Sequence, residues 1–137
     1  MKIGELARRS GLTAHTLRYY EKQGLIKACG RSESNYRIYD NNGLETAKFI
    51  KRSRDIGFSL EEVAVFLSIR ADKPAHICAE AKELTVKKID EVEKKIEELK
   101  QVVIALHKLG DACCGGQESA EYCSIIDALE QGNEERT

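Results

Sequence analysis

The sequence predicts a mainly α fold in three parts. A winged helix-turn-helix head with two linking helices is expected over residues 1–72, a long coiled-coil helix over 76–110, and a cysteine-containing loop with a short helix over 111–137. Three observations support this fold: two short helical patterns that meet at Gly11, an apolar heptad pattern that starts at Ile89, and cysteines clustered after residue 112. The composition, 42% apolar and 33% charged with one proline in 137 residues, is that of a helix-rich chain.

Composition and charge indicate what the head contacts. Residues 1–58 hold 12 Lys and Arg against 6 Asp and Glu, whereas the remainder holds 10 against 17. A basic head on an acidic body predicts a polyanionic partner. No apolar run is long enough for a membrane helix and the start lacks a signal-peptide pattern, so we expect a cytoplasmic protein without a membrane partner. Five cysteines, an odd number, in a reducing compartment predict thiolate ligands or redox thiols rather than disulfides.

The first 22 residues have the pattern of a helix-turn-helix. Gly11 ends a first short helix, and Thr13 is a suitable N-cap for a second helix whose inner face holds Leu17 and Tyr20. Two short helices joined by a glycine-containing turn define the motif. The outward residues of the second helix, which a major groove could receive, are Ala14, His15, Arg18 and Tyr19. The alternative is an ordinary helical hairpin with a solvated outer face.

Residues 31–39 predict a small β-hairpin, or wing. A polar turn leads into alternating aromatic, basic and aliphatic side chains. Arg31 and Arg37 are candidates to pair with phosphates, and Tyr36 is a candidate to donate its hydroxyl to one. A solvated basic loop is the alternative, but a wing directly after a helix-turn-helix favours DNA binding.

Two linking helices follow the wing. Asp40 is expected to cap a helix that runs through Ile56 and ends at Gly57. Ser59 and Glu62 form a capping-box pattern for the next helix, which should end between residues 70 and 72. We assign these helices no chemistry.

The long helix predicts self-association. From Ile89 its apolar residues recur in alternating steps of three and four, a heptad pattern with charged flanks. One such helix cannot bury its stripe alone, and no second helix of similar length is predicted. A helix from about residue 81 to 109, at ~1.5 Å per residue, holds Cys78 roughly 50 Å from its own cysteine loop. If the thiols share one ion, Cys78 must reach the loop of another molecule, which favours an antiparallel homodimer.

The cysteines predict a metal site. Cys113 and Cys114 are neighbours that close a strained ring on a single ion, so either one of them binds or each serves a different ion. Cys123 can close the loop, and thiolates select Zn²⁺, Cd²⁺, Pb²⁺, Hg²⁺ or Cu⁺. A third thiolate from Cys78 supports a divalent ion. Glu118 is a candidate oxygen ligand and His76 a candidate ligand or hydrogen-bond partner near Cys78, with a solvated surface position the alternative for both. Cys29 is expected to be a bystander.

Together these residues resemble the MerR family of transcription regulators, and most closely its zinc-responsive branch. The resemblance covers essentially the whole chain. It rests on Ile3-Gly4-Glu5-Leu6-Ala7, Thr16-Leu17-Arg18-Tyr19-Tyr20-Glu21, Asn35-Tyr36-Arg37-Ile38-Tyr39, Ile56-Gly57-Phe58-Ser59-Leu60-Glu61, Asp111-Ala112-Cys113-Cys114-Gly115, Tyr122-Cys123-Ser124-Ile125 and Ala128-Leu129-Glu130-Gln131-Gly132.

The resemblance implies a homodimer on double-stranded promoter DNA whose recognition elements are spaced too far apart. Metal binding would shift the heads, and the protein would bend and untwist the DNA so that RNA polymerase engages both elements. Residues 13–16 (Thr13, Ala14, His15 and Thr16) would face bases. Phosphates would be held by Arg18, Arg31, Tyr36, Arg37 and one or both of Tyr19 and Tyr20. Cys78 of one subunit would meet Cys113, Cys114 and Cys123 of the other.

One position departs from the zinc-responsive branch, which has a histidine where this chain has Glu118. Loss of the imidazole leaves a second zinc site short of a ligand unless Glu118 or an anion replaces it. Zn²⁺ remains the first expectation, and a Cd²⁺, Pb²⁺ or Hg²⁺ resistance regulator is the alternative. A thiol redox sensor and a metal-storage protein are less favoured. An enzyme is not expected, because the sequence has no catalytic constellation.

Overall fold

The computed structural model describes residues 1–131 and is mainly helical. The last six residues, with Gly132 of the C-terminal motif, lie outside the described part. The elements in chain order are α1 (Ile3–Ser10), α2 (Ala14–Lys22), β1 (Gly30–Arg31), β2 (Arg37–Ile38), α3 (Asn41–Ile56), α4 (Leu60–Ala71), α5 (Cys78–Asp111) and α6 (Ser124–Gln131), with short 3-10 turns at Lys73–Ala75 and Ala120–Tyr122. The chain forms two compact units, Met1–Lys88 and the part from Ile89 onward.

The helix-turn-helix forms at the predicted residues. Gly11 takes a left-handed conformation with φ 81°, and its N–H bonds to the carbonyl of Ala7 at the end of α1. Thr13 caps α2, since its side-chain oxygen accepts the N–H of Thr16 at 3.0 Å. Local chemistry therefore fixes both ends of the turn that precedes the second helix.

The wing is a two-stranded antiparallel hairpin in which Gly30 pairs with Ile38 and Arg31 with Arg37. Asn35 has φ 67°, a left-handed conformation that asparagine tolerates in tight turns. With only two residues in each strand, the hairpin has few hydrogen bonds of its own and depends on anchors elsewhere in the head.

The linking helices begin and end as predicted. The carboxylate of Asp40 accepts the Gly43 N–H at 2.9 Å to cap α3, which ends where Gly57 turns with φ 117°. Ser59 and Glu62 form the complete reciprocal capping box at the start of α4. This helix ends at Ala71, within the expected range.

The core of the first unit joins α1 to α4 and the end of the wing. Its largest fully buried side chains are Leu6, Leu17, Tyr39, Ile50 and Val63. Because α2 and the end of the wing share this core, the outward residues of both belong to one packed unit.

Helix α5 is continuous over 34 residues and includes Cys78, three residues before the expected start. Its heptad residues keep 41–63% of their surface exposed, which leaves the apolar stripe without a cover in one chain. The stripe is formed by Ile89, Val92, Ile96, Leu99, Val103 and Leu106. Within residues 1–131, none of the helices combines the length and apolar character that crossing a bilayer requires.

Candidate nucleic-acid interface and metal centre

The recognition helix α2 presents His15, Arg18 and Tyr19 to solvent. The hydroxyl of Thr13 donates to the hydroxyl oxygen of Thr16 at 2.8 Å, so both threonines serve the helix cap. Tyr20 is only 7% exposed and packs in the core. Of the two neighbouring tyrosines, Tyr19 is therefore the one that a ligand can reach.

Basic and aromatic side chains cover the wing. The guanidinium of Arg31 donates to the carbonyl of Asn35 at 3.0 Å and thereby closes the turn. The ring of Tyr36 is 58% exposed, and the ammonium of Lys2 lies 4.5 Å from its centre. A cation beside an aromatic ring is attracted by the ring face. Sequence reasoning missed Lys2, because only the fold brings the start of the chain to the wing.

Glu21 links the recognition helix to the wing. One carboxylate oxygen lies 2.8 Å from Nη1 of Arg37, and the other accepts the hydroxyl of Tyr39. The side chain of Glu21 is only 15% exposed, whereas that of Arg37 is 50% exposed. Burial, with the hydrogen bond to Glu21, raises the pKa of Tyr39 to about 12 and keeps the phenol neutral. Arg37, expected only as a phosphate contact, thus has one edge held by a carboxylate.

In the second unit, Cys113 and Cys123 come together. Their sulfurs lie 3.9 Å apart, and the N–H of Gly115 donates to the Cys113 sulfur at 3.4 Å. Gly115 has φ 72°, the left-handed conformation that lets the loop turn here. Cys114 points elsewhere, with its thiol 3.8 Å from a carboxylate oxygen of Glu118. The neighbouring cysteines therefore have different surroundings.

Helix α6 favours the thiolate form of Cys123. The backbone N–H groups of Ile126 and Ile125 at the start of this helix lower the pKa of the Cys123 thiol, and the neighbouring Cys113 thiol adds to the effect. Hydrogen bonds from amide donors stabilise the charged form of a sulfur. The loop thus holds a thiol whose charged form, the form that binds metal ions, is favoured by its surroundings.

The spacing of this thiol pair fits a metal ion. Two sulfurs that bind one tetrahedral Zn²⁺ at ~2.3 Å lie about 3.8 Å apart, close to the observed separation of 3.9 Å. Across residues 1–131, no group of three or more His, Cys, Asp and Glu side chains is placed to hold an ion. The thiol pair therefore stands without a third such side chain in the described part of one chain.

Cys78 is the first residue of α5 and is exposed. Its neighbour His76 is paired through Nδ1 with Glu80 at 3.0 Å, and Glu80 also accepts the Ile77 N–H at 2.8 Å. These bonds, led by that of His76, lower the pKa of Glu80. The bond between His76 and Glu80 thus stabilises the start of α5. In the first unit, Cys29 lies beside the wing, where its thiol donates to the carbonyl of Ile38 at 3.4 Å.

The fold and this loop define a winged helix-turn-helix protein with a thiol-rich site. Residues 1–68 match the family model described as MerR HTH family regulatory protein, and residues 44–109 match that described as MerR, DNA binding. The HTH-type transcriptional regulator ZntR of Escherichia coli (strain K12) is 45% identical over 131 residues, which is 96% of this chain and 93% of that protein. The chain belongs to the MerR family, and this similarity supports the ZntR branch, as predicted.

Solved structures agree with this assignment. The transcription regulator PbrR691 from Ralstonia metallidurans CH34, in complex with lead(II), superposes with a TM-score of 0.80 at 33% identity and covers 94% of this chain and 98% of its own. MerR from Bacillus megaterium MB1, in complex with mercury(II), has a TM-score of 0.69 at 30% identity, covering 96% and 100%. The predicted wing and long helix are features of a fold shared with these proteins.

Proposed function

We propose that this protein is a metal-responsive transcription regulator that binds promoter DNA as a homodimer and activates transcription when Zn²⁺ binds at its cysteines. The observation that carries this proposal is the thiol pair of Cys113 and Cys123, 3.9 Å apart in a chain that also carries a winged helix-turn-helix. Relatives of this chain are named as transcription regulators, which supports a role without catalysis.

The DNA-binding face is formed by α2 and the wing. His15, Arg18 and Tyr19 are exposed on the helix that a major groove would receive. Residues 13–16 are the N-cap and first turn of this helix and face the bases, in the position that a recognition helix uses for readout. Arg31, Tyr36 and the open edge of Arg37 contact phosphates, which fixes the register of the protein on the duplex.

The homodimer forms through α5. Its exposed apolar stripe is flanked by Lys94, Lys95, Glu97, Glu98 and Lys100, which is the pattern of a coiled-coil seam. A second copy is the partner that matches the stripe in length and spacing. An antiparallel arrangement brings the start of one long helix to the cysteine loop of the other copy.

The effector site combines the thiol pair of one subunit with Cys78 of the other. The pair needs a further ligand, and Cys78 is an exposed thiol at the start of the dimerisation helix. Because all of α5 lies between Cys78 and the loop in the chain, a second copy is the proposed source of the further thiol. Cys114, with Glu118 beside it, supplies a second group of donors next to the same loop. Zn²⁺, when bound, would link the two subunits, and the fraction of linked dimers would rise with the zinc concentration.

Activation works by deformation of the promoter. The metal-bound dimer holds its two heads in an arrangement that bends and untwists the duplex, so that RNA polymerase engages both promoter elements. The energy for the deformation comes from contacts that only the distorted DNA allows. The cell compartment in which this takes place is the cytoplasm.

A second candidate function is a Cd²⁺, Pb²⁺ or Hg²⁺ resistance regulator. Its support is Glu118, whose carboxylate lies near Cys114 where the zinc-responsive branch has a histidine. A carboxylate completes a second zinc site less strongly than an imidazole, whereas a larger soft ion needs only the thiolates. The structures of PbrR691 with lead(II) and MerR with mercury(II) show that relatives accept such ions.

A metal titration tests the proposed function. The reduced apo-protein is titrated with Zn²⁺, Cd²⁺, Pb²⁺, Hg²⁺ and Cu⁺, while stoichiometry and transcription from a bound promoter are measured together. Two zinc ions per site with activation would support separate roles for Cys113 and Cys114. One ion per site, with Cd²⁺ or Pb²⁺ the stronger activator, would instead support the second candidate.

Two controls make the titration specific. Cys78→Ser should abolish metal-dependent activation and leave DNA affinity nearly intact, whereas Cys29→Ser should change neither. Equal loss of DNA affinity and activation in Cys78→Ser would contradict the separation of roles. Full activation in strong reductant would exclude a thiol redox sensor, in which a disulfide is the signal.

A further inference from the structure

The wing needs an anchor outside its own strands. It has two residues in each strand, and an isolated hairpin of this size is marginal in water. Its side chains nevertheless have to keep a fixed distance from the recognition helix if both are to contact one duplex. A contact that anchors the wing therefore determines whether the wing and α2 are already in the right relative position when DNA binds.

Glu21 is placed to be that anchor. It lies in the last turn of α2, and its two oxygens bind Arg37 of β2 and Tyr39 directly after β2. Tyr39 is 2% exposed and is thereby fixed in the core, so the carboxylate has a rigid partner on one side and a half-exposed guanidinium on the other. Charge-assisted hydrogen bonds of this kind are stronger than neutral ones.

We infer that Glu21 is a positioning residue for DNA recognition, which locks the wing to the recognition helix and orients Arg37 so that its open edge meets a phosphate. This inference rests on the proposed function only in naming DNA as the ligand. The lock itself consists of the contacts between Glu21, Arg37 and Tyr39.

The sign of the charge makes the inference testable. An acidic side chain near a phosphate backbone repels DNA, so removing its charge should strengthen binding if it has no other role. If Glu21 holds the wing in place, removing its charge should instead weaken DNA binding, because the wing becomes more mobile and Arg37 loses its fixed orientation. Glu33 is the matched control, since it is an exposed acidic residue in the turn of the same wing.

The experiment compares full-length Glu21→Gln, Glu33→Gln and wild type. The first arm measures hydrogen exchange of the two wing amides that bond across the hairpin, those of Cys29 and Ser32. The second arm measures affinity for a duplex recovered from a random-sequence pool with the wild-type protein. We expect Glu21→Gln to exchange about ten-fold faster and to bind DNA about ten-fold more weakly, and Glu33→Gln to exchange normally and bind at least as tightly.

A double-mutant cycle separates the lock from a general loss of stability. Once Arg37→Gln is present, adding Glu21→Gln should have a smaller effect on both arms than it has in the wild type, because only the hydrogen bond to Tyr39 then remains to be weakened. Arg37→Lys, which keeps the charge, should recover part of the protection. The inference would be overturned by unchanged exchange in Glu21→Gln, by DNA binding that increases as in Glu33→Gln, or by additive effects in the cycle. If the wild type had no affinity for any duplex, the proposed function would fail while the exchange arm still tested the lock.

Discussion

At the scale of single residues, the local structure around Cys123 favours its thiolate form. Amide donors at the start of α6 lower its pKa, so its thiolate forms at lower pH than that of an ordinary cysteine. We predict that the pH midpoint for alkylation of Cys123, followed by mass spectrometry in metal-free protein, is lower in the folded chain than in urea. A midpoint that is equal or higher in the folded chain would remove the helix as the cause.

Arg18 is an exposed cation of α2. Arg18→Ala should weaken binding to all duplexes and reduce the slope of log affinity against log salt by about 1, because one fewer phosphate counterion is released. Binding measured over a salt series tests this. Lys94→Ala, which removes an exposed cation from α5, is the matched control and should leave the slope unchanged. An unchanged slope in Arg18→Ala would exclude Arg18 from the phosphate contacts.

At the scale of elements, Glu62 at the start of α4 connects this helix to α5. Glu62 accepts the backbone N–H of Ser59 and forms an ion pair with Lys88 of α5 at 2.9 Å. The backbone hydrogen bond, with Lys88, lowers the pKa of the Glu62 carboxyl. A carboxyl with a depressed pKa stabilises the fold above its ordinary pKa, and this contribution is lost as the pH falls through the depressed value.

We therefore predict that Glu62→Gln lowers the free energy of unfolding by about 1 kcal/mol at pH 7. The difference from wild type should shrink as the solution is acidified below the ordinary carboxyl range. Urea unfolding of both proteins at fixed concentration measures this. Glu61→Gln, at the exposed neighbouring position, is the control. A difference that persists undiminished at acid pH would show that the charge of Glu62 is not responsible.

The elements were predictable where the determinants are local. Gly11, Thr13, Asp40 and Ser59 act within a few residues of themselves, so the helix boundaries could be derived from sequence, and the structure confirms them. The start of α5 is less well signalled. There His76 bonds to Glu80 one turn further on, a contact that no sequence pattern indicates, and its role near Cys78 stays a prediction.

The site was predictable only in part, because its remaining contacts join distant residues. The cysteine loop was expected to close, and the short distance between Cys113 and Cys123 agrees with that. The bond between Glu21 and Arg37 spans two elements and has no sequence pattern. The approach of Lys2 to Tyr36 likewise depends on the hydrogen bonds that join Met1 to Tyr39. Roles in DNA and metal binding remain predictions.

At the scale of the whole molecule, the exposed stripe of α5 is the surface of the proposed homodimer. Leu99 is 63% exposed at the middle of this stripe. Leu99→Glu should place a charge in the seam and convert the dimer to a monomer, as measured by sedimentation equilibrium. Gln101→Glu adds the same charge two residues further on, away from the heptad positions, and should remain dimeric. A dimeric Leu99→Glu variant would contradict the seam.

Mixed dimers test whether two subunits share one metal site. One variant carries Cys78→Ser, and the other carries Cys113→Ser with Cys123→Ser. Each alone should lose tight Zn²⁺ binding, because every site in its homodimer lacks a ligand. In the mixed dimer, the intact loop of the first variant meets the intact Cys78 of the second.

Zinc bound per dimer, measured by equilibrium dialysis on purified mixed dimers, is the decisive quantity. We expect the mixed dimer to recover half of the wild-type zinc capacity, since one of its two sites is complete. No recovery in the mixed dimer, or a Cys78→Ser homodimer that binds zinc as tightly as wild type, would contradict a site built across the interface.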